Sequence, residues 1–168
     1  DELSRKSASM GKTALFLWTN PNAPTGTFAP KKEIAAFAAK FPGIVIVDEA
    51  YADFASENAM DLAVKKSNRN VIVMRTFSKS YSLAGLRVGY AVGPKDLIEA
   101  MEKVKDSYNV DAIAQLIALA AIKDHRWMKR NVAKVVKTRE RFSAELKRRG
   151  WDVLPSESNF LFARPAHR

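Results

Sequence analysis

Cysteine is absent from this chain, and histidine occurs only twice, at His125 and His167. Without thiols there are no disulfides and no thiolate metal sites, and two histidines far apart in sequence have no partner at ligand spacing. Long apolar runs are missing too. The longest, residues 113–122, is broken by Gln115 and reads as the buried face of a helix, not a membrane span. The opening stretch, residues 1–11, is polar and lacks the apolar centre of a secretory leader. A cytoplasmic protein with no membrane attachment is the expectation. Acidic residues are also in short supply, 18 against 28 Lys and Arg, for a formal charge of +10. The surplus is local: between Arg126 and Gly150, ten cationic residues stand against Glu140 and Glu145. Met128, Val132, Val135, Phe142 and Leu146 recur there at helical spacing, which assigns the cations to the other face of an amphipathic helix. No aromatics are interleaved for base stacking and no nucleic-acid motif accompanies them, so this is a solvated basic face and nucleic acid is not an expected partner. An anionic substrate would still benefit from the field.

What is present is the pattern of an α/β protein with one ordinary domain's worth of chain. Apolar strands are expected at residues 14–18, 44–48, 71–76 and 88–92, with a helix over 31–41 between the first two. Pro94 suits the start of a helix, and residues 95–107, 111–124 and 126–149 form a helical block that Gly150 ends. Short strands are expected at 151–154 and 160–163, with Pro155-Ser156 as a turn. Three segments stand at the carboxyl ends of the expected parallel strands, where open α/β sheets collect ligands. They are Asn20-Pro21-Asn22-Ala23-Pro24-Thr25-Gly26, then Asp48-Glu49-Ala50-Tyr51, then Thr76-Phe77-Ser78-Lys79-Ser80 running on to Arg87. Lysine forms Schiff bases with carbonyls, while a hydroxyl-rich turn and an arginine fork can grip a phosphate. The third segment therefore suits an aldehyde cofactor with a phosphate handle.

These three motifs, in this order, resemble the large domain of fold-type I pyridoxal-phosphate enzymes, the aminotransferase superfamily. Asp48-Glu49-Ala50-Tyr51-Ala52-Asp53-Phe54, Ser82-Leu83-Ala84-Gly85-Leu86-Arg87 and Lys105-Asp106-Ser107-Tyr108-Asn109-Val110 are most similar to the histidinol-phosphate aminotransferase branch. The resemblance implies the central part of a three-layer α/β/α large domain with a mostly parallel sheet, followed by the start of a small α/β domain. Residues 1–125 would belong to the cofactor-binding large domain, and residues 126–168 to an interdomain helix and a truncated beginning of the small domain. It implies pyridoxal 5'-phosphate as cofactor, an amino acid and a keto acid as substrates, and a homodimer for the full-length parent.

Residue by residue, the same resemblance implies that Lys79 binds the cofactor aldehyde and then moves a proton at the substrate carbon. Asp48 would face the pyridine nitrogen and keep it protonated, and Tyr51 would hydrogen-bond the ring oxygen. Thr76, Ser78 and Arg87 would anchor the phosphate. The common pattern has Asn immediately before Pro-Thr-Gly. Here Ala23 stands there, and Asn22 is the substitute for the ring-oxygen contact. The preceding phosphate loop, the aromatic that stacks on the ring and the carboxylate-binding arginine have no counterpart in this sequence, so a piece of a longer protein is expected. A partial sheet would then expose an unpaired edge and an apolar face. The alternatives are another fold-type I enzyme, such as threonine-phosphate decarboxylase or an aromatic aminotransferase, and a truncated piece without catalysis.

Overall fold

The computed structural model describes residues 14–65 and 68–165. Along the chain come β1 (Leu15–Thr19), α1 (Lys31–Ala38), β2 (Ile44–Asp48), a 3-10 turn (Ala52–Phe54) and α2 (Met60–Val64). Then follow β3 (Val71–Thr76), a second 3-10 turn (Ala84–Leu86), β4 (Gly89–Val92), α3 (Lys95–Val104), α4 (Ala112–Lys123) and α5 (His125–Arg148). A two-stranded ribbon of β5 (Asp152–Val153) and β6 (Ala163–Arg164) closes the order. The main sheet runs β1-β2-β3-β4, with the first three strands parallel and β4 antiparallel to β3.

Strand alternation decides which side chains meet the helices. Val45, Val47, Val71 and Val73 are buried against Ile34, Phe37, Ala38 and Phe41 from the α1 region and Leu62 and Ala63 of α2. Burial of each such side chain stabilises the fold by about 1.5–3 kcal/mol. Phe16 and Trp18 of β1 join this core through ring contacts with Phe37, tilted for Phe16 and edge-on for Trp18. Because successive side chains alternate, and Val47 pairs with Val73 while Asp48 pairs with Met74, Asp48, Met74 and Thr76 share the other face. A second, smaller core joins Phe77 and Val88 to Ala114 and Ala118 of α4.

The starts of α4 and α5 are capped by side chains. Asp111 accepts from the Ala114 amide at 2.8 Å and Asp124 from the Trp127 amide at 3.3 Å, satisfying donors that a helix start leaves open. Gly26, at φ +75°, occupies the left-handed region in the turn after β1, where the amide of Gly26 donates to Asn22 O. Arg139 of α5 is buried and donates to Phe54 O at 3.3 Å and Ser158 O at 2.9 Å. It ties the long helix to the turn after β2 and to the segment before β6.

Several expectations need correction. The apolar run 113–122 is helical but buries only its small residues Ala114 and Ala118: Ile113 and Leu116 are each 68% exposed, and Leu119 and Ile122 are also open. Periodicity identifies an apolar surface and says nothing of what covers it. Of the α5 stripe only Met128 is buried, while Phe142 lies 55% exposed. Of residues 160–163 only Ala163 is in a strand, with Phe162 O still accepting from the Leu154 amide at 3.1 Å; the Ser156 hydroxyl donates to Phe160 O, where the chain bends. Helix α2 was not expected at all, since its five residues are too few for a periodic signal. Among the described strands β1 is the last of the main sheet, and its Leu15 and Leu17 side chains are exposed. Among the described residues no helix is long and apolar enough to cross a membrane, and no cluster of His, Asp or Glu could hold a metal ion. Residues 1–11 and His167 lie outside the described residues.

Candidate active site

The carboxyl ends of β2 and β3 open into a cleft of about 700 Å³. Its lining includes Asp48, Thr76, Ser78, Lys79 and Arg87, five of the seven residues singled out from the sequence. Helix α3 and the turn after it supply the facing wall through Ile98, Met101, Glu102, Lys105 and Asn109.

Local geometry explains how each group is presented. Asp48 Oδ1 accepts from the Ala50 amide at 3.0 Å, and its other carboxylate oxygen has no partner among the described residues. Thr76 Oγ1 accepts from the Ser78 amide at 3.1 Å and donates to Val88 O at 3.3 Å, so this hydroxyl shapes the turn after β3. Phe77, buried between them, anchors the turn to the α4 core. The Ser82 amide donates to Lys79 O at 3.1 Å, which places Lys79 at the head of a tight turn with its side chain exposed to the cleft. Ser82 and Arg87 have φ of 59° and 54°, a region that costs any side-chain-bearing residue and is held only where the surroundings impose it. Arg87 Nη1 donates to Ala84 O at 2.8 Å, while the rest of its guanidinium is unpaired among the described residues. Gly89 sits where a Cβ would come 2.8 Å from Arg75 O, so the backbones of β3 and β4 can approach at the cleft floor only through glycine.

The other two residues stand apart from that lining. The Tyr51 ring lies beside Lys79, its centroid 5.2 Å from Nζ, and makes a T-shaped contact with Phe160, ring centroids 5.1 Å apart. Asn22 does not reach the cleft. Its amide spans the loop, accepting from Thr19 Oγ1 and donating to Thr25 Oγ1, both at 2.7 Å.

Sequence reasoning missed a largely buried polar cluster beside the cleft, whose central residue, Arg75, also lines it. Arg75 donates from Nε to Glu49 Oε2 at 2.8 Å, pairs with the same oxygen through Nη2 at 2.7 Å, and pairs through Nη1 with Asp53 Oδ1 at 2.9 Å. The Ser80 hydroxyl donates to Asp53 Oδ2. Glu49 also accepts from the Ala59 amide. Burial pushes the Glu49 carboxyl above its ordinary range, against the opposing pull of Arg75. Burial likewise raises the phenols of Tyr81 and Tyr90 beside the cluster, with Asp53 adding to both shifts. The available signal was Arg75 itself, the one charge within the apolar strand Val71–Thr76, which needs a partner if it is buried.

The donor set has the chemistry of a site for a phosphate-bearing aldehyde: one amine, two hydroxyls and an arginine around a carboxylate with an unused oxygen. The family model described as aminotransferase class I and II matches residues 1–166. The chain belongs to the class I and II aminotransferase family. Among relatives of this aminotransferase chain, histidinol-phosphate aminotransferase of Syntrophotalea carbinolica is 49% identical over 154 residues, covering 92% of this chain and 44% of that protein. The enzyme of the same name from Geobacter sp. (strain M21) is 49% identical over 154 residues, 92% of this chain and 43% of its own length. Among solved structures, histidinol-phosphate aminotransferase from Sinorhizobium meliloti in complex with pyridoxal-5'-phosphate superposes with a TM-score of 0.86 at 30% identity. That match covers 96% of this aminotransferase chain and 45% of the solved one. The chain thus spans less than half the length of the relatives it matches.

Proposed function

We propose that this chain forms the central part of a histidinol-phosphate aminotransferase, which exchanges an amino group between histidinol phosphate and 2-oxoglutarate using pyridoxal 5'-phosphate. The observation that carries the reading is the convergence of Asp48, Thr76, Ser78, Lys79 and Arg87 on one cleft at the strand ends. The relatives' names support the substrate. A cytoplasmic homodimer, with residues 126–168 as interdomain helix and start of a small domain, belongs to the same proposal.

When bound, the cofactor supplies a carbonyl that takes up the amino group and a ring that accepts the electrons left when the substrate carbon loses its proton. The chain's own residues do the rest. Lys79 would hold the cofactor through its amine and, when that amine is free, would move a proton at Nζ. Asp48, fixed by the Ala50 amide, has an unused oxygen that would favour the protonated form of a ring nitrogen beside it. Ser78 and the unpaired part of Arg87 would donate to the phosphate, the arginine fork being able to engage two oxygens at once. Thr76, with its hydroxyl engaged in the turn, chiefly holds the amide of Ser78 in place. Tyr51 presents its phenol beside Lys79. Asn22 serves the loop, and the ring-oxygen contact falls to Tyr51.

Turnover by the full-length protein tests the substrate. Histidinol phosphate is expected to be preferred over phenylalanine as amino donor, with Lys79→Ala abolishing turnover of both; preference for phenylalanine would contradict the reading.

A further inference from the structure

Two residues assigned to the chemistry, Asp48 and Lys79, are each followed by a residue that enters the buried cluster: Glu49 after Asp48, Ser80 after Lys79. Glu49 is 1% exposed and Ser80 5%. Both are joined through one cation, because Arg75 bridges Glu49 to Asp53 and Asp53 accepts from the Ser80 hydroxyl. The path therefore runs from the end of β2, across β3, to the turn after β3. At the end of β2 Asp48 faces the cleft while Glu49 is buried, and in the turn after β3 Lys79 is exposed while Ser80 is buried. Every link is a charge-assisted hydrogen bond among buried or half-buried side chains, and such bonds are shorter and stronger than neutral ones. By contrast, the Lys79 side chain is exposed, makes no hydrogen bond among the described residues and has the Tyr51 ring as its one close side-chain partner there, so its placement depends chiefly on the turn that bears it.

We infer that Arg75 and Asp53 are positioning residues that fix the Lys79 amine relative to the Asp48 carboxylate, acting through Ser80 and Glu49. The inference rests on the cofactor reading above. Arg75 also lines the cleft, whereas Asp53 and Ser80 do not, so the positioning role is read at those two; the cluster sets how the amine is presented, and an offset of about 1 Å at a reacting group can cost about 100-fold in rate.

The test follows the visible absorbance band that forms when pyridoxal 5'-phosphate is added to the full-length apoprotein. Lys79→Ala must form no such band; a parent-like band in that variant would overturn the cofactor reading, and the positioning role with it. With that control in place, Ser80→Ala and Asp53→Asn are expected to reach the parental amplitude per folded molecule but to form the band about 10-fold or more slowly. In turnover, kcat should fall while KM stays within about two-fold, and Ser80→Thr, which restores the hydroxyl, should recover most of the rate. A cluster that only stabilised the fold would lower the melting temperature and the amplitude and leave the rate constant of the folded fraction unchanged. If Asp53→Asn fails to fold, Ser80→Ala, which removes a single oxygen, decides alone. A parental rate constant in Ser80→Ala would overturn the inference.

Discussion

Two acid–arginine clusters in this molecule have nearly the same bond lengths and opposite characters. Beside the cleft, Arg75 meets Glu49 at 2.7 Å and Asp53 at 2.9 Å; on the surface of α5, Glu145 meets Arg148 at 2.9 Å and Arg149 at 2.7 Å. The difference is water. The Glu49 side chain is fully buried and that of Arg75 is 11% exposed, whereas Arg148 and Arg149 are 74% and 67% exposed. At Glu49 burial outweighs the attraction of Arg75 and the carboxyl is raised; at Glu145 hydrogen bonds from Arg148 and then Arg149 lower it. Distance alone does not identify an ion pair that matters, and solvent access does.

Removing the bridging cation breaks the comparison most severely. Arg75→Met leaves Glu49 and Asp53 side by side without compensation, and urea unfolding should show a loss of about 3–5 kcal/mol. The same truncation at Arg148 should leave the unfolding midpoint where it was, and equal effects at the two sites would refute the role given to burial.

A paired titration sharpens the contrast. A carboxyl raised by folding contributes stability that is complete below its unfolded value and is lost as pH climbs through the folded one. From the ordinary glutamate value of 4.5 upward, Glu49→Gln should therefore gain on the parent. A lowered carboxyl behaves oppositely: the contribution of Glu145 is present above 4.5 and disappears as pH falls through its folded value. Glu145→Gln should lag the parent slightly at neutral pH, with the gap closing in acid, and screening makes this the smallest of the effects. Unfolding midpoints measured across the acid range should show the two variants moving in opposite directions relative to the parent.

Much of the sheet was legible in the sequence. Residues 44–48 and 71–76 are the strands found, because unbroken β-branched runs bounded by turn residues leave few other structures. Lys79, Asp48 and Arg87 were legible because each carries a functional group at a strand end or in the turn after it, and the fold brings such ends together. The contents of the buried cluster were not. Glu49 and Asp53 are carboxylates in a motif where Asp48 already accounted for the chemistry, and only the third dimension shows that Arg75 reaches both. Asn22 failed as a cleft residue because sequence order cannot tell a side chain that braces its own loop from one that crosses to a ligand. Ile113 and Leu116 show the same limit on the apolar side: helical spacing was right and burial was not.

The central claim is that Lys79 holds pyridoxal 5'-phosphate in the cleft beside Asp48. Borohydride reduction of the loaded full-length protein, followed by digestion and mass spectrometry, fixes the cofactor to whichever amine carries it. The account predicts a pyridoxyl label on the peptide containing Lys79 and its loss in Lys79→Ala; a label on another lysine, with Lys79 unmodified, would contradict it.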